Sequence, residues 1–407
     1  MGEPLVKRIE EALAYIHGRP KAGKKDSFTR LDALLTVLGH PEDRLAETIH
    51  ITGTNGKGSV ATMVTAVAKE AGLRVGTFTS PFITDFRERF QINGELITPA
   101  DLIFYTNQVK KATDRVEQKS AGQLTPTEFE VVTAIMFLYF ADQDLDLAVI
   151  EVGIGGRFDS TNILKTTKVA VVTTVALDHQ AMLGDTVAAI AGQKAGIIKP
   201  GSKTVIGPGV TAEAKEVIEA QAKEVGSPVL VAQVGSFHSA LSGSFQADNT
   251  ATAVLALKTW RPNLQDEVIQ AGLDQAFLAG RFEQIQPKIY LDGAHNQAGI
   301  QALHQSIKEN LAGPVTVIIG SLADKNVDLA FLELEKDPQI TLALVPFEGV
   351  AGRPGLQKDQ VDLANQDLIW YDSLDQALSE NQEKTVVITG SLYFISDVRR
   401  ELCQKKS

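Results

Sequence analysis

Short apolar runs alternate along the chain with longer stretches that place apolar residues at helical spacing. Residues 3–17 and 28–38 read as helices. Thr48-Ile49-His50-Ile51-Thr52 reads as a short strand, followed by a Gly-rich loop from Gly53 to Gly58. Ser59 to Ala71 then reads as a helix, with Val60, Met63, Val64 and Val67 on one face and Gly72 closing it. Arg74 to Thr79 is a second strand. Leu145–Val152 and Lys168–Val175 are continuous apolar runs, the pattern of strands buried on both faces of a parallel sheet. This strand–helix alternation predicts an α/β fold.

Local signals punctuate the pattern. Asn93-Gly94 between Phe90-Gln91-Ile92 and Glu95-Leu96-Ile97 predicts a tight hairpin. Thr98-Pro99-Ala100-Asp101 and Thr125-Pro126-Thr127-Glu128 each predict a helix start, with Thr as N-cap, Pro at the first position and an acid at the third. Asp185-Thr186 opens a helix reaching about Gly196, residues 203–232 read as strand–helix–strand, and Asn249–Trp260 is helical. Val234–Ser244 is rich in Ser and Gly and carries no pattern. After Arg281 the alternation restarts: Lys288–Leu291 and a helix, Val315–Gly320 and a helix, Ile340–Pro346, then Thr385–Gly390 and a last helix. A domain boundary is therefore expected near residue 280, giving domains 1–280 and 281–407. The basic loop Arg19-Pro20-Lys21-Ala22-Gly23-Lys24-Lys25 reads as a solvated turn.

Composition narrows the function. A formal net charge of −11 argues against a nucleic-acid partner. The single cysteine, Cys403, excludes an internal disulfide and a cysteine metal cluster, and fits a reducing cytoplasm. The charged N-terminal residues do not form a signal peptide, and Val131–Phe140 is too short to span a membrane.

The sharpest chemical feature is Thr52-Gly53-Thr54-Asn55-Gly56-Lys57-Gly58-Ser59, set between a strand and a helix. In a phosphate loop, glycines let successive N–H groups turn toward phosphate oxygens and the helix N-terminus adds partial positive charge. Lys57 supplies a point charge and Ser59 a hydroxyl. The spacing departs from the general pattern, since Gly58 separates Lys57 from Ser59. No guanine-recognition motif follows, so ATP is favoured over GTP. Polar residues also stand at three further strand ends: Ser80, Glu151 and the pair Asp178-His179. In open α/β sheets ligands gather at the carboxyl ends of strands. Oxygen ligands suit Mg²⁺. Glu151 is open to a salt bridge with Arg157 instead, and Lys194, late in a helix, reads locally as a surface lysine complementing the helix dipole.

Taken together, Thr52–Ser59, Thr79–Phe82, Glu151–Asn162, Ala176–His179, Lys194–Lys199, Leu291–Asn296 and Thr389–Tyr393 resemble the folylpolyglutamate synthase/dihydrofolate synthase family of Mur-type ligases. The resemblance implies a P-loop parallel-sheet domain bearing a small additional antiparallel sheet, then a smaller Rossmann-like domain on the glutamate side, with ATP and folate in the cleft between them. It implies that Asn55, Gly56, Lys57, Gly58, Ser59, Asn249, Arg281 and Asp292 meet ATP. Ser80, Glu151, His179 and Lys194, the last carbamylated, would hold Mg²⁺. His295, Asp324 and Ser391 would handle glutamate, and Thr125, Phe158, Asp159 and Ser160 would lie on the pterin side. The substrates implied are a reduced folate or dihydropteroate, L-glutamate and ATP, acted on by a cytoplasmic monomer. The family commonly reads His-Asn-Pro where this chain has His295-Asn296-Gln297, and the segment before Asn249 is shorter than usual.

Overall fold

The computed structural model describes residues 5–21, 27–323, 334, 336–350, 353–361 and 368–404. They form two compact units: one of residues 1–82, 86–239 and 248–276, the other of residues 83–85, 240–247 and 277–407.

The first unit is built on an eight-stranded sheet in the order β4-β3-β2-β5-β1-β6-β7-β8. Its strands are β1 (Thr48–Thr52), β2 (Val75–Phe78), β3 (Phe90–Ile92), β4 (Glu95–Leu96), β5 (Leu147–Glu151), β6 (Thr167–Val172), β7 (Lys203–Ile206) and β8 (Val229–Val231). From β2 to β8 the neighbours are parallel. The central strands β1, β2 and β5 are buried along their whole length, including the polar residues Thr48, His50 and Thr52 of β1. The β3–β4 hairpin turns through Asn93 and Gly94, at φ 52° and 81°, values that Asn-Gly tolerates well. It adds antiparallel strands to the edge of the main sheet. The separate antiparallel sheet implied by the resemblance is not found in this unit among the described residues, and the segment after β8 is irregular up to the helix Gln246–Trp260.

Helix starts follow their caps. The helix Pro99–Lys119 begins at Thr98, whose side chain accepts the Asp101 N–H. The next helix begins two residues later than the Thr-Pro pattern predicts. Thr127, not Thr125, is the N-cap of Glu128–Ala141, because Thr127 and Glu130 form a reciprocal capping box. That box satisfies two orphan N–H groups, where a lone Thr125 cap would satisfy one. The short helix Asp266–Leu273, absent from the sequence expectation, packs on the helix Lys57–Glu70. A Cβ on Gly272 would lie 2.4 Å from Val67 Cα, so this close approach needs glycine. Arg19 is turned into the fold rather than solvated: it pairs with Glu117 and donates to the Pro126 carbonyl. Residues 22–25 of that basic loop lie outside the described residues.

The second unit holds a six-stranded sheet in the order β15-β12-β11-β16-β10-β9. These are β9 (Glu283–Gln286), β10 (Ile289–Leu291), β11 (Val315–Ile319), β12 (Ile340–Leu344), β15 (Ile369–Trp370) and β16 (Thr385–Thr389); β13 (Gly349–Val350) pairs with β14 (Arg353–Pro354). Side chains alternate between two cores with period two. Val317, Ile319, Leu342, Leu344 and Val387 pack beneath the helix Gln297–Asn310. Ile318, Ala343, Val386 and Ile388 share the opposite core with residues of the final helix Leu392–Gln404. Helices on both faces of a mostly parallel sheet make this unit Rossmann-like. The helix expected after Val315–Gly320 falls largely outside the described residues.

Candidate functional site

The loop after β1 is fixed mainly by threonines rather than by its own sequence. The Thr54 N–H donates to the Thr174 carbonyl at 2.9 Å, and the Asn55 N–H to Thr174 Oγ1 at 2.9 Å. The Thr173 and Thr174 hydroxyls both donate to the Asn55 carbonyl, at 2.6 and 3.0 Å. Thr54 Oγ1 accepts the Ala176 N–H and donates to the Ala176 carbonyl. The run expected as a strand to Val175 therefore ends at Val172, and its last polar residues hold the neighbouring loop. Two threonines closing an apolar run were the available signal. Gly53 is required here, since its Cβ would fall 1.8 Å from Thr173 Oγ1. Gly56 sits at φ 84° against Asn249, so Asn249 lies beside the loop. Lys57 and Ser59 lie in the first turn of the following helix, and Lys57 Nζ donates to the Gly53 and Thr54 carbonyls. Gly58 lies between them in the same turn.

The carboxyl ends of β2 and β5, neighbours in the sheet, bring Ser80 and Glu151 together: the Ser80 N–H donates to Glu151 Oε2 at 3.2 Å. Glu151 is buried, and the exposed Arg157 reaches Gln221 instead of pairing with it. The local reading of Lys194 as a surface residue is overturned. Lys194 is buried, and its pKa is pushed well below the usual lysine value, first by burial and then by the charge of Lys57, with Asp178 opposing. The Gly-rich turn allows this, because Gly156 packs against the Gln193 and Lys194 carbonyls and Gly196 against Arg157. His179 is exposed, in left-handed backbone at φ 49° beside Asp178. The His and carboxylate groups gathered at ligating spacing among the described residues are elsewhere, at His40, Glu42 and Asp43. There His40 Nδ1 lies 2.9 Å from Glu42, and Lys165 pairs with Asp43.

On the expected pterin side, Phe158 packs against Phe28 with ring centroids 6.4 Å apart, and Asp159 and Ser160 are buried. The Thr125 hydroxyl donates to the Gly122 carbonyl.

In the second unit, Asp292, His295 and Ser391 follow the adjacent parallel strands β10 and β16. Buried Asp292 accepts the Phe282 N–H at 2.9 Å and the Ala294 N–H at 2.8 Å. Burial raises its pKa, opposed by Arg281 and these two N–H groups. His295 Nδ1 lies 2.8 Å from the Gly293 carbonyl, and Ser391 Oγ accepts the Tyr393 N–H. Asn296 caps the next helix, with Gln297 in its first position. Asp324 lies outside the described residues.

Residues 279–401 match the family model described as the dihydrofolate synthetase C-terminal domain. Over its length the chain is 36% identical to the dihydrofolate synthase/folylpolyglutamate synthase of Bacillus subtilis (strain 168), covering 97% of this chain and 99% of that one. It is 37% identical to the folylpolyglutamate synthase of Lacticaseibacillus casei, covering 98% and 99%. This chain belongs to the folylpolyglutamate synthase/dihydrofolate synthase family. The solved apo form of the L. casei enzyme matches with TM-score 0.85 and 35% identity, covering 98% of this chain and all of that one. A folylpolyglutamate synthase complex with AMPPCP and folate matches with TM-score 0.84 at 35% identity, covering 97% of this chain. The expected fold class, a P-loop parallel-sheet domain followed by a Rossmann-like one, is that of these relatives. No helix among the described residues is long and apolar enough to cross a membrane.

Proposed function

We propose that this chain is a folylpolyglutamate synthase, which joins L-glutamate to a reduced folate at the expense of ATP. The observation that carries this reading is the pairing of a threonine-held phosphate loop with a second, buried lysine. Burial, and after it the charge of Lys57, holds Lys194 toward its neutral form, and the Lys57 cation beside it favours a bound anion. A lysine held toward its neutral amine is also the form that adds CO₂. The resulting carbamate exchanges a repelled cation for an oxygen ligand.

The N–H groups of Gly56, Lys57, Gly58 and Ser59 cradle the phosphates of ATP in the loop that Asn55 anchors to Thr174, and Asn249, Arg281 and Asp292 meet the rest of the nucleotide. Glu151, Ser80, His179 and carbamylated Lys194 form a largely hard, oxygen-rich set that fits Mg²⁺. When bound, that ion neutralises phosphate charge. The folate side chain, entering past Thr125, Phe158, Asp159 and Ser160, presents its carboxylate to the γ-phosphorus. The carboxylate oxygen forms a bond to phosphorus, ADP leaves, and an acyl phosphate results. Lys57 stabilises the charge that spreads over the phosphoryl oxygens. The glutamate amine, handled by His295, Asp324 and Ser391, then adds to the acyl carbon. The tetrahedral intermediate expels phosphate and loses a proton to give the amide. The enzyme acts in the cytoplasm as a monomer.

The test is incubation of the purified protein with MgATP, glutamate and bicarbonate, plus tetrahydrofolate, dihydropteroate or no acceptor, followed by mass analysis. Tetrahydrofolate should gain one or more glutamyl masses, and Lys57→Ala should lose this activity by roughly 10³-fold. The same gain on dihydropteroate adds dihydrofolate synthase activity. Protein that binds ATP yet extends neither acceptor would sink the reading and favour another acceptor or a binding role.

A further inference from the structure

A buried hydrogen-bonded chain joins the strand before the phosphate loop to the turn after β5, and the reaction above leaves its His50 and Thr161 without a role. His50, at the centre of β1 between Ile49 and Ile51, is fully buried. Its Nε2 lies 2.8 Å from Thr161 Oγ1. That hydroxyl donates to Asp159 Oδ1 at 2.6 Å, and the Thr161 N–H donates to the same oxygen at 3.0 Å. Asp159 Oδ2 accepts the Ile154 N–H at 3.0 Å. A hydroxyl has one proton, and here the carboxylate takes it. Nε2 is therefore the donor to Thr161, and His50 is the neutral Nε2–H tautomer. Burial, with the charge of Lys199 second, pushes its pKa down to about 3 and keeps it neutral.

The other ring nitrogen points to a purpose. His50 Nδ1 is buried with no hydrogen-bond partner among the described residues. An unmet buried acceptor is unfavourable, and an aliphatic side chain like those of Ile49 and Ile51 would leave none. The useful atom is the Nε2–H, and its one recipient is the hydroxyl that holds Asp159. Gly153 leaves no room for a side chain in this turn: a Cβ there would lie 2.6 Å from Phe129 Cζ and 3.1 Å from Asp159 Oδ2. The phosphate loop, by contrast, is held by Thr173 and Thr174.

We infer that His50 and Thr161 are positioning residues that lock Asp159 and the turn 153–159 into the geometry receiving the pteridine end of the acceptor. This rests on the proposed assignment of Asp159 to the pterin side. The chain acts on acceptor recognition and leaves nucleotide binding alone.

The experiment is steady-state kinetics of the full-length protein with tetrahydrofolate and MgATP varied separately. Thr161→Val keeps the branched shape and loses the relay; Thr161→Ser keeps the hydroxyl. His50→Gln places an amide donor near the position of Nε2, and His50→Leu removes it. Thr161→Val should raise KM for tetrahydrofolate about tenfold, with KM for MgATP within about twofold of wild type. Thr161→Ser and His50→Gln should return most of that loss. His50→Leu, if it folds, should match Thr161→Val. An unchanged folate KM in Thr161→Val overturns the inference, as does an equal rise in both KM values with no rescue by serine. Wild-type protein that glutamylates only a non-pteridine acceptor removes the assignment of Asp159 and the inference with it. Wild-type activity on folate beside an inert Thr161→Val removes the inference alone.

Discussion

Both sheets put polar residues at the carboxyl ends of adjacent parallel strands, but they satisfy them differently. In the second unit the backbone does it: two N–H groups hold the Asp292 carboxylate, and Asn296 caps its helix with its own side chain. In the first unit, like charges are brought together. Lys194 is buried near Lys57, and their repulsion helps to depress its pKa. A carboxylate whose backbone donors are in place is preorganised, whereas a lysine cation beside a buried neutral amine is stabilised by the anion it receives. In the proposed reaction the first unit would hold the phosphates, while the second presents groups whose backbone partners are already in place.

Lys194→Ala is the strongest way to break this comparison. If Lys194 becomes a carbamate, the substitution should lower kcat by about 100-fold, and depleting bicarbonate should weaken the wild type but not the variant. Labelled bicarbonate should give a carbonyl-region carbamate signal by ¹³C NMR in wild type, absent from Lys194→Ala. A full-strength variant would leave the buried amine as a packing feature.

Gly53→Ala is expected to cost roughly 2–4 kcal/mol in denaturant unfolding, because the added methyl meets Thr173 Oγ1 at 1.8 Å. Little change would mean that the threonine grip yields easily.

The pH dependence of stability sharpens the picture of the first unit. His50 has a folded pKa near 3, below its ordinary value of 6.5, so the unfolded state binds the extra proton between these values. Its contribution is therefore fully present above about pH 6.5 and is lost as pH falls toward 3, at up to about 1.4 kcal/mol per pH unit. His50→Gln should flatten this slope. Equal slopes in paired urea titrations at pH 5 and pH 7 would remove the burial argument.

The smallest effect is expected in the second unit. Gln297 occupies the first helical position, and Asn296 before it is already extended at φ −135° and ψ 164°. Proline fits both conditions. Gln297→Pro should raise stability by about 0.5 kcal/mol, read as a small increase in Tm. Destabilisation would show that the Gln297 N–H or side chain has a use.

The order of strands and helices, the Asn93-Gly94 hairpin, the Thr98 cap and the phosphate loop were legible in the sequence. Each depends on residues a few positions apart: apolar periodicity, a cap and its helix, glycines before a helix. Where two local patterns competed, as at Thr125 and Thr127, the better-satisfied set of backbone donors decided. β9 escaped because Glu283-Gln284-Ile285-Gln286 is a polar edge strand, which exists by pairing with β10.

The sequence by itself supplied the loop of Gly53–Ser59 as a candidate for phosphate and Ser80, Glu151 and His179 as polar residues at strand ends, because those capacities belong to side-chain chemistry and short spacing. The tertiary structure decided their electrostatics and their supports. Lys194 became a buried amine because the helix carrying it packs against a glycine turn from another part of the chain. Thr173 and Thr174 became the holders of a loop 118–119 residues away in sequence, and His50 met Thr161 across 111 residues. Desolvation and cross-strand hydrogen bonding depend on what folds alongside a residue, and that is fixed only when the sheet closes.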